Sequence, residues 1–165
     1  MKLPILFVCE DNGLAMHTPA DKRCGYDSIS NIVAKFRCYT IDTDTTDAEA
    51  VHRHARYAAQ MIRASGKPFF MRCGYYRYLE HVGVKEDFDK GYRSKEELSE
   101  WSAKDPILIQ RKKLIDIGVE LDEIMKLEGD IKNQINESVY FAKNSDFTSV
   151  EDLHKDIFDE TDNIL

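Results

Sequence analysis

Cysteine is scarce in this 165-residue sequence, and its four cysteines form neither a Cys-x-x-Cys pair nor a paired Cys/His spacing. That arrangement argues against a structural zinc site and against a disulfide framework, so we expect reduced, buried thiols. Long apolar runs are also missing, which predicts that no segment spans a membrane. Acidic residues follow the N-terminal segment at once and no small-residue cleavage site is evident, so we expect a cytoplasmic protein without a signal peptide.

Positive charge is in deficit as well. The sequence has 23 Lys and Arg against 30 Asp and Glu, a formal charge of −7, and no basic stripe. Nucleic acid therefore has little electrostatic reason to bind. Apolar residues, in contrast, make up an ordinary 42% of the chain, enough for a domain of this size to bury a core of its own.

Apolar periodicity predicts the fold class. Short apolar runs at residues 4–10 and 68–73, with a weaker one at 37–42, are typical of buried strands. Residues 26–36 suit a short helix, and apolar positions spaced three and four apart from Ala48 to Ile62 predict a longer one. The order strand, helix, strand, helix, strand predicts an α/β fold in which helices flank a parallel sheet.

Capping signals divide the rest of the chain. Thr46 and Glu49 suggest a capping box for the longer helix, and Gly66 its end. Residues 74–93 have no periodicity and predict a long loop, ordered by its aromatic side chains. Further helices are predicted to start at Ser94, at Asp105, near Leu121 and at Thr148. We expect an α/β domain over residues 1–118 and a helical C-terminal extension over 119–165.

Two predicted loops leave the carboxyl ends of strands, where ligands bind in parallel α/β sheets. Residues 10–19 and 74–93 form these loops, and both are rich in polar side chains. An oxygen-rich turn beside an arginine and a histidine suits a magnesium-bridged phosphate, because magnesium prefers oxygen ligands and arginine pairs with phosphate. An ordinary polar turn and a solvated or core histidine remain open as alternatives. The candidate residues are Glu10, Asp11, Asn12, His17, Tyr76, Arg77, Glu80, His81, Tyr92 and Arg93.

Three stretches carry a resemblance to a known family: "LPILFVCEDNGLAMHTP", "SGKPFFMRCGYYRYLEHVG" and "GYRSKEELSEWSAKDPI". In order and spacing they resemble the alpha subunit of thiamine diphosphate-dependent 2-oxo acid dehydrogenases, which has acetoin-cleaving relatives. The resemblance runs from Leu3 to Gly118 and is weaker beyond it. It implies a partial thiamine diphosphate-binding domain, thiamine diphosphate and magnesium as cofactors, and a beta-type subunit as partner in an oligomer.

The resemblance also implies roles for four residues. The second Asn of the family's Glu-Asn-Asn-Gly-Tyr motif, a magnesium ligand through its side-chain oxygen, falls on Asn12, and a carbonyl ligand falls on Leu14. The family's Tyr-Arg-x-x-x-His stretch resembles residues 76–81, which implies a phosphate-contacting Arg77 and an active-site His81. The implied cofactor site is therefore Asn12, Leu14, Arg77 and His81.

The sequence also departs from this family. Asp11 replaces the first Asn, where its charge either strengthens magnesium binding or faces solvent, and Val82 stands where many members have serine. The family's Gly-Asp-Gly motif does not occur. We therefore expect the C-terminal half of such a subunit, inactive until an N-terminal half or upstream subunit completes it. Two alternatives remain: a non-catalytic interaction or regulatory remnant, and a hydrolase with a metal held by Glu10, Asp11 and His81.

Overall fold

The computed structural model describes residues 3–155, so the last ten residues of the predicted C-terminal extension lie outside the described part. The predicted α/β class is confirmed. The strands are, in chain order, β1 (Leu6–Asp11), β2 (Leu14–Ala15), β3 (Thr18–Pro19), β4 (Tyr39–Thr43) and β5 (Phe69–Gly74). The helices are α1 (Ala20–Arg23), α2 (Ile29–Ala34), α3 (Ala48–Ser65), α4 (Lys95–Ser102), α5 (Pro106–Asp116) and α6 (Leu121–Asn144), with 3-10 turns at Phe88–Lys90 and Val150–His154.

A three-stranded parallel sheet forms the centre of the α/β part. Its order is β1-β5-β4, and β2 and β3 form a separate two-stranded antiparallel ladder. Glu10 and Thr43 both stand opposite Cys73, so the three strands end at nearly the same level. The loops that follow β1 and β5 therefore begin side by side.

The middle strand is the most buried one, because it has a strand on each side and is covered on both faces. Phe69, Phe70 and Met71 of β5 are all buried. In contrast, β1 is bonded on one side only, and its Phe7 and Val8 are about half exposed. The core itself is a cluster of buried Ala58, Ile62 and Phe69, with Leu6, Tyr39, Ile41 and Met61 packed against it.

Helix α3 has the predicted apolar stripe and the predicted end, but not the predicted start. Gly66 ends the helix in the left-handed region, with φ of 63°. The capping residue is Asp47, whose carboxylate accepts the Glu49 N–H at 3.1 Å, so the prediction of Thr46 is wrong. The Thr46 hydroxyl instead donates to the Lys104 carbonyl, a tertiary contact that local sequence does not reveal.

The later helices begin largely as predicted. The Ser94 hydroxyl caps α4 by accepting the Glu97 N–H at 3.2 Å, and the Asp105 carboxylate caps α5. The final turn is a 3-10 turn capped by Ser149, so its predicted start at Thr148 is wrong by one residue. The chain divides into two compact units, Met1–Ile117 and Gly118–Leu165, and the long helix α6 belongs to the second.

Two further findings bear on the class of protein. Among residues 3–155, no helix combines the length and the apolar character needed to cross a membrane. The four cysteines are free thiols and are partly buried, less so than we expected.

Candidate functional site

The two loops that follow β1 and β5 contact each other at the carboxyl edge of the sheet. The Asn12 side-chain amide donates to the Tyr75 hydroxyl at 3.3 Å. The Arg77 guanidinium reaches across to the Met16 carbonyl at 3.1 Å. Two of the sequence-predicted site residues, Asn12 and Arg77, are thus brought to the same edge.

Asn12 and Leu14, the two predicted metal ligands, form a tight turn. The Asn12 Oδ1 accepts the Leu14 N–H at 2.9 Å, and Gly13 between them has φ of 71°, a conformation that favours glycine. Since the Asn12 nitrogen is bound to Tyr75, the orientation of the amide is fixed. Its Oδ1 retains a second lone pair that a further donor or a cation could use.

Asp11 has a role that neither of our two expectations describes. Its Oδ1 accepts the Gly13 N–H at 2.9 Å, and its Oδ2 accepts from Arg72 Nε at 2.7 Å. Burial favours the protonated acid, but the hydrogen bonds from Arg72 and Gly13 outweigh it and lower the pKa of Asp11. Both oxygens of this carboxylate are therefore committed within the chain.

Arg72 joins the ends of all three strands. From the middle strand it reaches Asp11 on β1, and its Nη1 donates to Asp42 on β4 at 2.7 Å and to Asp44 at 2.9 Å. These hydrogen bonds, that to Asp11 first, raise the pKa of Arg72. Gly74 leaves the space for this arrangement, because a Cβ there would lie 2.1 Å from Asp44 Oδ1.

A cavity of about 860 Å³ opens beside Arg72 and Asn12. Its charged lining consists of Glu10, Asp11, Asp21, Asp27, Asp42, Asp44, Arg23 and Arg72. Because carboxylates outnumber arginines in this list, the cavity favours a cation, and a phosphate group would be held here only through a bound cation such as magnesium.

Arg77 is heavily engaged in the second loop. Its Nε donates to the Leu79 carbonyl at 3.0 Å, and its Nη2 donates to the Tyr92 hydroxyl at 2.6 Å and to Asp87 at 3.5 Å. Together with the contact to Met16, these bonds use four of the five guanidinium N–H groups. One N–H remains for a ligand, so two-pronged pairing with a phosphate would require Arg77 to give up a present partner.

Asp87 and Arg93 form a buried ion pair that organises the same loop. Asp87 is 2% exposed and Arg93 is 7% exposed. The Asp87 carboxylate accepts from Arg93 Nε at 2.7 Å, from Arg93 Nη2 and from the Tyr92 hydroxyl. Burial favours the neutral acid, but the hydrogen bonds from Tyr92 and Arg93 outweigh it and lower the pKa of Asp87. Arg93 also donates to the Arg77 and Leu79 carbonyls, and so fixes the chain ahead of His81.

His81 lies apart from these networks. Its side chain is exposed, and no hydrogen bond within residues 3–155 joins it to Asn12 or Arg77. It sits in a turn that the Glu80 N–H closes by donating to the Lys85 carbonyl at 2.8 Å. The loop contacts therefore bring together the predicted metal ligand Asn12 and the predicted phosphate contact Arg77, but not the predicted active-site histidine.

The remaining candidates take other places. Glu10 is exposed on the cavity wall, and the His17 ring lies 4.7 Å from the Tyr92 ring. Tyr76 is buried, with its ring stacked on Trp101 at 5.5 Å. The ring contacts of His17 and Tyr76 are the kind that packs a loop, whereas Glu10 adds a carboxylate to the cavity wall.

Sequence reasoning missed two residues on which the site depends. Arg72 had a signal, because an arginine inside the apolar run "PFFMRC" needs carboxylates nearby once the strand is buried. Asp87 had none, since "KEDFDKG" reads as an ordinary polar loop and its partner Arg93 is identified only by the fold.

The residues described here contain no group of three or more His, Cys, Asp or Glu side chains placed to hold a metal ion. The hydrolase alternative needs Glu10, Asp11 and His81 to converge. Asp11 is instead bound to Arg72, so this geometry gives that alternative no support.

Comparison with known proteins identifies what the chain is similar to. The family model of the dehydrogenase E1 component matches residues 1–151. The pyruvate dehydrogenase E1 component subunit alpha of Zymomonas mobilis is 31% identical over 157 residues, covering 94% of this chain and 44% of the relative. The 2-oxoisovalerate dehydrogenase subunit alpha of Bacillus subtilis is 28% identical over 151 residues, covering 91% of this chain and 45% of the relative.

A third relative has similar identity to this chain and is also covered over less than half of its length. The mitochondrial 2-oxoisovalerate dehydrogenase subunit alpha of Caenorhabditis elegans is 29% identical over 162 residues, covering 97% of this chain and 37% of the relative. The chain thus spans less than half the length of these curated relatives.

Proposed function

The chain belongs to the dehydrogenase E1 component family, and we propose that it is the C-terminal portion of the alpha subunit of a thiamine diphosphate-dependent 2-oxo acid dehydrogenase. The proposed activity is oxidative decarboxylation of a 2-oxo acid, or cleavage of acetoin, in an oligomer with an N-terminal half and a beta-type subunit. Bound thiamine diphosphate would supply the carbon–carbon bond cleavage. The residues of this chain would hold that cofactor and manage protons around it.

The turn at Asn12 supports a magnesium role. Amide and carbonyl oxygens are hard ligands of the kind magnesium takes, and the Asn12 Oδ1 is held in place by the Leu14 N–H with a lone pair to spare. We propose Asn12 Oδ1 and the Leu14 carbonyl as two ligands. Because Asp11 is committed to Arg72, any carboxylate ligand would come from another segment.

Arg77 would act on the phosphate side of the cofactor. One of its N–H groups is unused, which suits one charge-assisted hydrogen bond to a phosphate oxygen. Its other contacts tie the two loops together and would keep that N–H near the Asn12 turn.

His81 would act on protons. An exposed imidazole that makes no hydrogen bond within the described residues can accept or donate a proton, or stabilise developing charge near the reacting carbonyl. We propose this role for His81 in the completed enzyme.

One observation carries the proposal: the loops after two adjacent parallel strands contact each other through Asn12–Tyr75 and Arg77–Met16. Ligands of parallel α/β sheets bind at such strand ends. These contacts hold the loops of the proposed metal ligand Asn12 and the proposed phosphate contact Arg77 together, which supports a shared magnesium diphosphate site.

Calorimetric titration of magnesium thiamine diphosphate tests the proposal. The 165-residue chain would be measured alone and after assembly with the N-terminal alpha segment and beta subunit of a relative. We expect very weak binding to the chain alone and clear binding to the assembly. Asn12→Ala should weaken binding to the assembly, whereas Asn31→Ala, at an exposed asparagine on α2, should not. Equal binding by both variants, or low-micromolar binding to the isolated chain, would contradict the half-site assignment.

A non-catalytic remnant of the same fold is the second candidate. It is favoured because the described residues contain no cluster of three or more His, Cys, Asp or Glu side chains placed to hold a metal ion, and because the net negative lining of the cavity repels a free phosphate group. This alternative predicts an assembly that forms but neither binds the cofactor nor turns over any 2-oxo acid.

A further inference from the structure

Glu80 closes the turn that carries His81 through two hydrogen bonds to Lys85. The Glu80 N–H donates to the Lys85 carbonyl at 2.8 Å, and Glu80 Oε1 accepts the Lys85 N–H at 3.4 Å. Main chain and side chain of Glu80 therefore both bond to Lys85. The segment between them, including His81, forms a closed turn.

The Glu80 carboxylate also fits against Gly83 inside this turn. A Cβ at Gly83 would lie 2.2 Å from Glu80 Oε1, and Gly83 has φ of 128°, which disfavours any other residue. The Glu80 carboxylate therefore packs directly against Gly83. The side chain of Glu80 is thus an interior part of the turn.

Nothing else in the described structure holds the tip. Val82 and Val84 are each 82% exposed, and His81 is exposed and makes no hydrogen bond there. The chain before the turn, in contrast, is fixed because Arg93 donates to the Leu79 carbonyl. The conformation of the tip therefore depends on the two bonds between Glu80 and Lys85.

We propose that Glu80 is a positioning residue for His81. Its carboxylate closes the turn and restricts the conformations that the His81 backbone can take, which lowers the entropy lost when the imidazole is placed beside a reacting group. The importance of this for turnover depends on the role proposed above for His81. The closure itself does not depend on it.

The closure can be tested by NMR on the 165-residue chain, at a protein concentration low enough that light scattering shows a monomer. Amide exchange of Lys85 and the imidazole signals of His81 would be recorded for wild type, Glu80→Ala, Glu80→Gln and the control Glu86→Ala. Glu80→Ala should speed Lys85 exchange roughly tenfold or more and shift the His81 signals. Glu80→Gln keeps the Oε1 acceptor and should restore both, and Glu86→Ala, at an exposed carboxylate nearby, should change neither.

Two results would overturn the proposal: Lys85 exchange that is insensitive to Glu80→Ala, or a Glu80→Gln variant as perturbed as Glu80→Ala. In the assembled complex, Glu80→Ala should lower kcat roughly ten- to a hundredfold with little change in cofactor affinity, and Glu80→Gln should recover most of it. His81→Ala separates the two hypotheses. If it leaves turnover intact, the proposed role of His81 fails, while the exchange data still decide whether Glu80 closes the turn.

Discussion

Removing the Asp87 carboxylate should strongly destabilise the second loop. Asp87 is 2% exposed and is the only carboxylate that pairs with Arg93 in the described residues. In Asp87→Ala the Arg93 guanidinium stays buried without its counter-ion, and the Tyr92 hydroxyl and Arg77 each lose an acceptor. Deleting one member of a buried ion pair leaves the other charge uncompensated, which is the costly case.

The expected cost is about 3 kcal/mol, the lower end of the range for breaking a buried ion pair. The lower end applies because the loop can open locally and hydrate Arg93 without unfolding the sheet. None of the core residues Ala58, Ile62 and Phe69 lies in this loop. The loss should therefore appear first as local opening of residues 75–93 and only partly as a lower midpoint of global unfolding.

Hydrogen exchange resolved by residue, together with urea unfolding, would measure both effects. Asp89→Ala is the matched control, because Asp89 is exposed and, within residues 3–155, pairs only with neighbouring Lys90 at 3.3 Å. It should change stability by less than about 0.5 kcal/mol. If Asp87→Ala exchanged as slowly as wild type between residues 75 and 93, the buried pair would not be what orders the loop.

Three further predictions concern catalysis, pH and association. In the assembled enzyme, His81→Ala should lower turnover roughly a hundredfold at saturating cofactor without lowering the melting temperature, and near-normal turnover would make His81 structural. Because the folded-state pKa of Asp11 is lowered, its stabilising contribution is present above the unfolded value near 4 and is lost as pH falls through the lower folded value. Thermal melts from roughly pH 7 to pH 3 should thus show a lower melting temperature at neutral pH and a shallower acid-side decline for Asp11→Asn than for wild type, and parallel curves would contradict this. The isolated chain should associate through the unpaired β1 edge with its exposed Phe7 and Val8, and light scattering from a clean monomer at high concentration would count against it.

Local sequence signals predicted helix boundaries correctly where a single residue determines the start or the end of the helix. Ser94 and Asp105 each cap the helix that they were expected to cap, and Gly66 ends α3 in the conformation that glycine favours. The start of α3 was misplaced because Thr46 and Asp47 can both cap. There the choice is made by a partner distant in sequence, since Lys113 binds the Asp47 carboxylate at 2.7 Å.

The site was predictable only in part, for a similar reason. Motifs predicted Asn12 and Arg77 as cofactor-binding residues, which stays a prediction, and their shared edge follows from parallel strands that end together. The position of β5 between β1 and β4, and hence the reach of Arg72 to both, is a matter of strand order, which periodicity along the chain does not encode. The pairing of Asp87 with Arg93 depends on the path of an irregular loop, which periodicity does not encode.

Arg72 has a mechanical consequence for any ligand at this edge. By binding Asp11, Asp42 and Asp44, it connects the carboxyl ends of the three strands. Separating any one strand end from the others would break an ion pair with Arg72. Both loops start within a few residues of these ion pairs, at Asn12 and Tyr75. We therefore expect movement on ligand binding to occur in the loops beyond these two residues, with the spacing between the first residues of the two loops unchanged.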